Sequence, residues 1–158
     1  METNISYLCI VINNNKIMVK KDKIVFNFLL IGAFLYREGN RILNEFGLNQ
    51  QQFVVLKYIS SRQPINQKEI HSHLLFEKSN LSKIIKKLEN LELIKKTPGL
   101  NDSRYSLLTI KQKGKIIVKK AIKKIEIYNT ELLENFSGKE IIKLNNTLEI
   151  FINKIRKQ

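Results

Sequence analysis

Residues 78–114 constrain the fold of this chain more than any other stretch of it. In the first part of the stretch, apolar residues recur every three or four positions, which is the spacing of one face of an α-helix. These residues are Leu81, Ile84, Ile85, Leu88 and Leu91. The opposite face is polar and basic, with Asn80, Ser82, Lys83, Lys86, Lys87 and Asn90. The pattern predicts an amphipathic helix that buries its apolar face and presents its basic face to solvent.

A β-hairpin is predicted directly after this helix. Residues 93–97 and 105–110 each have the composition of a short strand, and Pro98 and Gly99 favour a turn between them. Arg104 stands near the tip of that turn region. A basic helix followed by a hairpin with an arginine near its tip is the outline of a winged helix-turn-helix.

Two capping-box pairs indicate the helices upstream. Asn49 with Gln52, and Asn66 with Glu69, have the spacing in which two side chains satisfy the first free N–H groups of a helix. They predict a second helix that ends near residue 62 and a short third helix that runs through Leu74. About four residues then lead to the basic helix. This is the helix-turn-helix arrangement, in which the second of two helices enters the major groove.

Long helices are predicted on both sides of this region. Asp22 is placed to cap a first helix that runs to about Phe46 and stops at Gly47. Its first half is apolar nearly all round, so we expect other elements to cover it, and a second subunit is the natural cover. A fifth helix from residue 113 to about 135, and a sixth that starts at Ser137 with Glu140, have the 3-4 apolar spacing of helix-on-helix packing.

The predicted fold is mainly α with a small β-hairpin wing. The expected parts are an N-terminal extension of uncertain structure (1–21), a dimerisation helix (22–47), a winged helix-turn-helix DNA-binding lobe (48–112) and C-terminal dimerisation helices (113–158).

The positive charge is concentrated in the predicted lobe and just after it. The formal net charge of the chain is +14. Residues 1–65 carry 8 basic and 4 acidic groups, residues 66–124 carry 15 and 5, and residues 125–158 carry 5 and 5, so the net values are +4, +10 and zero. A uniform bias towards A/T-rich codons would not leave the last segment neutral. Neutralisation of DNA phosphates requires such a local concentration.

Cysteine usage and hydropathy bear on where the protein works. The single cysteine, Cys9, excludes an internal disulfide framework and suits a reducing compartment. The longest apolar run, residues 24–36, has 13 residues and is too short for a membrane span. The N-terminus also lacks the pattern of a secretory signal. We therefore expect a cytoplasmic protein that does not associate with membranes.

Four motifs stand in an order and spacing that resemble the MarR family of bacterial transcriptional regulators. Residues 48–56, 65–70 and 79–89 are similar to the second, third and recognition helices of that family. The most specific motif is the D-x-R wing signature and the strand-to-helix exit after it, namely Asp102-Ser103-Arg104, Leu107, Ile110, Lys113 and Gly114. The resemblance covers roughly residues 22–156. It implies a homodimer formed by the first, fifth and sixth helices, a roughly palindromic operator, and a small-molecule effector between these helices and the lobe.

The chain departs from the family pattern at three positions. Leu75 and Glu92 stand where the family has glycine, and Lys111 stands where it has a Thr or Ser cap. A non-glycine residue at positive φ is costly, so these turns are expected to be strained or built differently.

Candidate DNA-binding residues come from the third helix, the basic helix and the hairpin. We expect the basic helix in the major groove, where Ser and Asn near its start reach base edges or phosphates and its lysines pair with phosphates or guanine. Arg104 is expected in the minor groove with Asp102 orienting it. The full set is Gln67, Lys68, Lys78, Ser79, Asn80, Ser82, Lys83, Lys86, Lys87, Lys95, Asp102, Ser103 and Arg104.

Each of these assignments has a simpler alternative. The basic face is also compatible with a solvated lysine-rich surface, and Asp102 with Arg104 is also compatible with a weak turn salt bridge. The lysines of the fifth-helix region fit equally the flank of a duplex and a solvated face. They are Lys111, Lys113, Lys115, Lys119, Lys120, Lys123 and Lys124.

We expect no metal, no cofactor and no catalysis. His71 and His73 are two residues apart, so on a helix they point about 200° apart and do not easily share an ion. Cys9 lies before the first predicted helix and is interpreted as an unremarkable thiol. The sequence has no nucleophile constellation, phosphate-binding glycine loop or paired-carboxylate motif.

The sequence therefore predicts a sequence-specific regulator of transcription that binds double-stranded DNA, acting as a homodimeric, ligand-responsive repressor. Three alternatives stay open. They are a transcriptional activator, an architectural DNA-binding protein of low sequence specificity, and a winged helix used for protein contacts. The net charge of +10 over residues 66–124 argues against the last.

Overall fold

The computed structural model describes residues 20–74, 76–99 and 106–156. The helices are α1 (Lys20–Leu43), α2 (Gln50–Arg62), α3 (Gln67–His73), α4 (Lys78–Asn90), α5 (Gln112–Leu132) and α6 (Gly138–Ile155). The strands are β1 (Ile65–Asn66), β2 (Ile94–Pro98) and β3 (Ser106–Ile110). The predicted fold class, mainly α with a small sheet, is confirmed. No helix in these three ranges is both long enough and apolar enough to cross a membrane.

The chain divides into two units, residues 1–37 and residues 38–158. The described part of the first unit is the N-terminal portion of α1. Many of its apolar side chains are exposed in the single chain, as expected for a helix that is apolar nearly all round. They include Ile24, Val25, Leu29, Leu30, Ile31, Phe34, Leu35 and Tyr36.

Side-chain caps start three of the helices, as predicted. Asn49 Oδ1 accepts from the Gln52 backbone N–H at 2.8 Å, and the Asn49 N–H donates to Gln52 Oε1 at 3.0 Å. The same exchange joins Asn66 to Glu69 at the start of α3 and Ser137 to Glu140 at the start of α6. The hydrogen bonds from Ser137 also hold the pKa of the Glu140 carboxyl below its ordinary value.

One hydrophobic core lies within the second unit, and α4 is central to it. The predicted apolar face of α4 is buried at Leu81, Ile84, Ile85 and Leu88, and Leu91 is half-buried. The core also includes Phe53, Val55, Leu56 and Ile59 of α2, Ile70 of α3, and Val118 and Ala121 of α5. In contrast, α6 contributes no buried residue in the single chain.

The sheet is antiparallel, with strand order β1-β3-β2. Ile94 pairs with Ile110 and Pro98 with Ser106 in the predicted hairpin, whereas Ile65 of β1 pairs with Leu108 on the other side of β3. The sequence prediction of a two-stranded wing missed β1, because a strand of two residues has no periodicity to detect.

The prediction that Asp22 caps the first helix is wrong. The helix already includes Lys20, so Asp22 lies within its first described turn. A capping residue precedes the first helical turn, whereas two helical residues stand before Asp22. At the other end, α1 ends at Leu43 and is followed by a 3₁₀ turn, Asn44–Phe46. Gly47 then adopts φ 68° and ends this turn, at the predicted position.

The junction between α4 and β2 contains a strained residue. Glu92 has φ 59°, a left-handed conformation that glycine adopts without cost. The expectation of strain at this position is confirmed. Lys111 starts α5 without a side-chain cap, in agreement with its departure from the family pattern. Leu75 lies outside the described residues.

We predict that Glu92→Gly stabilises the fold. Relief of a left-handed non-glycine residue outweighs the extra flexibility of glycine in the unfolded chain, so the free energy of unfolding should rise by about 0.5–1 kcal/mol. Urea denaturation at equilibrium measures it. Glu92→Ala is the control, because it removes the same carboxylate and keeps the strain. An equal rise in both variants would show that the carboxylate, rather than the backbone, is the cause.

Candidate nucleic-acid interface

The solvent-facing side of α4 is polar along its whole length. Because the core holds the apolar side of the helix, Ser79, Ser82, Lys83, Lys86 and Lys87 are all exposed. Lys78 at the start of the helix is also exposed, and Asn80 is half-buried. The structure therefore places the predicted major-groove residues on one accessible surface, with Asn80 at its edge.

A hydrogen-bond network joins the exposed face of α4 to α3. Gln67 Nε2 donates to Ser82 Oγ at 2.7 Å. The Ser82 hydroxyl donates in turn to the carbonyl oxygen of Lys78 at 2.9 Å. Gln67 and Ser82, which are 15 positions apart in the sequence, thus act as one unit at the surface.

Asn80 is attached to a different element. Its Nδ2 donates to Gln51 Oε1 of α2 at 3.2 Å. This contact turns part of the Asn80 side chain towards the protein and fixes the first turn of α4. Sequence reasoning missed Gln51, which is 29 positions from Asn80 and carries no local signal of the contact.

Further cations flank α4. Lys68 on α3, and Lys95 and Lys96 on β2, are exposed. Within the described ranges, neither these three nor the lysines of α4 form a salt bridge with a carboxylate. Their charge is therefore not compensated by described acidic groups of the protein.

Several lysines of the α5 region are instead tied to neighbouring elements. Lys113 Nζ donates to the Leu91 carbonyl oxygen at 3.0 Å, at the C-terminal end of α4. Lys111 lies 3.6 Å from the Glu92 carboxylate, and Lys124 forms an ion pair with Glu45. A cation at the end of α4 is also favoured by the helix dipole.

Three further lysines of α5 line a cleft. Lys115, Lys119 and Lys123 stand along one side of it, with Val118 and Ile122 beneath them. Ser60 of α2 and Gln63, which directly follows that helix, complete the lining, and the volume is about 580 Å³.

The wing tip lies outside the described residues. Asp102, Ser103 and Arg104, for which the sequence predicts minor-groove contacts, fall in the gap between residues 99 and 106. The strands on either side of the gap pair from Ile94 to Pro98, so the hairpin that leads to the tip is in place. Cys9 also lies outside the described ranges.

The two histidines do not form part of a metal site in the described part of the chain. No group of three His, Cys, Asp or Glu side chains is placed there to hold an ion. His73 Nδ1 lies 2.9 Å from the carbonyl oxygen of Glu69, and its ring lies against Tyr58. It is engaged locally within α2 and α3.

The helices α3 and α4 are followed by the hairpin of β2 and β3, which with β1 forms a three-stranded sheet. This arrangement defines a winged helix-turn-helix protein. Residues 48–105 match the sequence model of the MarR family. This segment is a MarR-family domain, and the chain is similar to transcriptional regulators of that family.

Relatives of similar sequence and structure agree with this assignment. The HTH-type transcriptional regulator SarZ of Staphylococcus saprophyticus is 26% identical over 134 residues, which are 84% of this chain and 89% of SarZ. A SlyA-like transcription regulator from Listeria monocytogenes has a TM-score of 0.78 and 26% identity, covering 90% of this chain and 91% of its own. A putative MarR family regulator from the same organism, in complex with 26mer DNA, has a TM-score of 0.79 and 27% identity and covers 84% and 89%.

Proposed function

We propose that this protein is a homodimeric repressor that binds double-stranded DNA sequence-specifically and responds to a small-molecule ligand. The observation that carries the proposal is the exposed face of α4, where Lys83, Lys86 and Lys87 follow a polar first turn. Lys68 and Lys95 extend the positive charge on both sides. A helix of this kind presents hydrogen-bonding groups to base edges and cations to phosphates.

The Listeria monocytogenes relative in complex with 26mer DNA supports the same partner for this chain. Asp102, Ser103 and Arg104 are proposed as the wing contacts. We expect Arg104 to enter a narrow minor groove, where the negative potential is strongest.

The dimer is proposed from apolar surface that the single chain leaves exposed. Although α6 has 18 residues, it buries none of them, whereas most of the stability of helices in proteins comes from packing of an apolar face. Ile141, Leu144 and Ile155 share one side of α6 and are each more than a third exposed. In a two-fold symmetric dimer, this side of α6 would pack against the same side of α6 in the second subunit. The exposed apolar portion of α1 needs cover for the same reason.

A ligand site is proposed at the cleft beside α5. Its volume of about 580 Å³ lies within the usual range for small-molecule sites. Val118 and Ile122 offer apolar contact, while Lys115, Lys119 and Lys123 favour an anionic group. A ligand there would regulate DNA binding only if its affinity differs between DNA-competent and incompetent conformations.

Two other functions predict different behaviour. An architectural DNA-binding protein would bind with steep salt dependence and little preference between sequences. An activator would bind an operator as tightly as a repressor does, and only the position of the operator relative to the promoter distinguishes them.

Selection from a random pool of duplexes tests the proposed function. The full-length protein should enrich one roughly palindromic sequence and bind it about a thousandfold more tightly than a scrambled duplex. Equal affinity for both duplexes would favour the architectural alternative. Absence of binding at low salt would refute DNA binding altogether.

We predict that the α4 lysines supply part of the salt dependence of binding. For Lys83→Ala with Lys86→Ala, the slope of log K against log salt should become shallower by about four units, because the homodimer loses four lysines and each phosphate contact contributes roughly one. Fluorescence anisotropy over a salt series measures it. Lys143→Ala with Lys154→Ala on α6 is the matched control, since it removes the same charge from exposed positions. The same loss of slope in both double variants would mean that net charge, not the α4 surface, is responsible.

We predict that Leu144→Glu dissociates the dimer. In the dimer, each subunit would bury an unpaired carboxylate on the side of α6 that contains Ile141 and Ile155. Because this burial costs several kcal/mol, the dissociation constant of the dimer should rise by about a hundredfold or more. Sedimentation velocity measures it. The control is Ile150→Glu, on the opposite side of α6 at a residue that is 70% exposed. A stable dimer for Leu144→Glu, or a monomeric wild type, would contradict the proposed interface.

A further inference from the structure

Ser82 stands in the middle of the exposed face of α4, yet its hydroxyl already has partners within the protein. It donates to the Lys78 carbonyl oxygen at 2.9 Å and accepts from Gln67 Nε2 at 2.7 Å. A serine hydroxyl has one hydrogen, so no donor is left on this side chain. Most hydrogen-bonding atoms in the major groove are acceptors, namely N7 and O6 of guanine, N7 of adenine and O4 of thymine. Ser82 is therefore poorly suited to read a base directly.

The same hydrogen bond fixes the side chain of Gln67. One hydrogen of Nε2 is used by Ser82, while Oε1 and the second hydrogen have no partner among the described residues. A free N–H next to a free carbonyl oxygen is the pair with which glutamine binds adenine, through N7 and the N6 amino group. Gln67 is half-buried at the first position of α3 and lies directly beside the exposed face of α4.

We propose that Gln67 reads an A·T base pair in each half-site and that Ser82 is the positioning residue that holds it. This inference rests on the proposed function and differs from the sequence prediction, in which Ser82 itself reaches a base edge or a phosphate. Ser82 restrains the glutamine amide before DNA arrives, so less side-chain freedom is lost on binding. The hydrogen bond from Ser82 to Lys78 directs the serine lone pairs away from the helix backbone and towards Gln67.

The test uses the full-length protein and the duplex that wild type selects from a random pool. Affinities are measured for that duplex and for every single base-pair substitution in one half-site. We expect one A·T pair at which substitution costs wild type about tenfold or more. Gln67→Ala and Ser82→Ala should both lose discrimination at this pair and retain it elsewhere.

Two further variants separate positioning from direct contact. If Ser82 acts only through Gln67, the double variant should behave like Gln67→Ala alone, because the effects of coupled residues do not add. Ser82→Thr keeps a hydroxyl and should keep the preference. The matched control is Ser72→Ala, a serine exposed on α3 and outside the predicted DNA-binding set, which should leave discrimination at this pair unchanged. Circular dichroism and thermal melting establish that each variant is folded.

Loss of discrimination at different base pairs in Gln67→Ala and Ser82→Ala would overturn the inference, since Ser82 would then read a base itself. Uniform weakening on every duplex in Gln67→Ala would also overturn it and assign Gln67 to a phosphate. In both cases wild type still selects a sequence, so the proposed function survives. If wild type selects no sequence, the proposed function fails and the inference fails with it.

Discussion

Burial of the apolar face of α4 is the interaction on which the rest of the structure depends. Leu81 and Leu88 are fully buried, and Ile84 and Ile85 are nearly so. Each such side chain contributes about 1.5–3 kcal/mol relative to exposure. Because these four residues fix the rotation of α4 about its axis, the residues between them must face solvent. The core and the basic surface are therefore set by one helical periodicity, and no polar contact with another described residue holds Lys83 or Lys86 outward.

Hydrogen bonds join the C-terminal end of α4 and the residues after it to the start of α5. The Lys111 N–H donates to the Leu93 carbonyl oxygen at 2.8 Å, and Lys113 Nζ holds Leu91 O. A Cβ at Gly114 would lie 2.4 Å from Leu93 O, so only glycine allows this close approach. Glu92 tolerates a left-handed φ within the same junction. A displacement of α5 would thus act directly on the end of α4, and this is a physical route for the proposed ligand control of DNA binding.

Local rules predict most of the fold from the sequence. The three capping boxes and the apolar spacing of α4, α5 and α6 each depend on residues within one turn or a few turns, where single-sequence reasoning is strong. Non-local contacts were not predictable in this way. The pairing of Ile65 with Leu108 and the contact of Gln51 with Asn80 join distant segments. The bond between Gln67 and Ser82 is of the same kind.

The central claim is that two copies of α4 enter neighbouring major grooves of one duplex. Hydroxyl-radical footprinting on the selected duplex tests it most directly, because this reagent maps protected backbone at single-nucleotide resolution. The account predicts two protected patches related by two-fold symmetry, with centres about one helical turn, or roughly 10 base pairs, apart. A single patch, or even protection along the whole duplex, would contradict it.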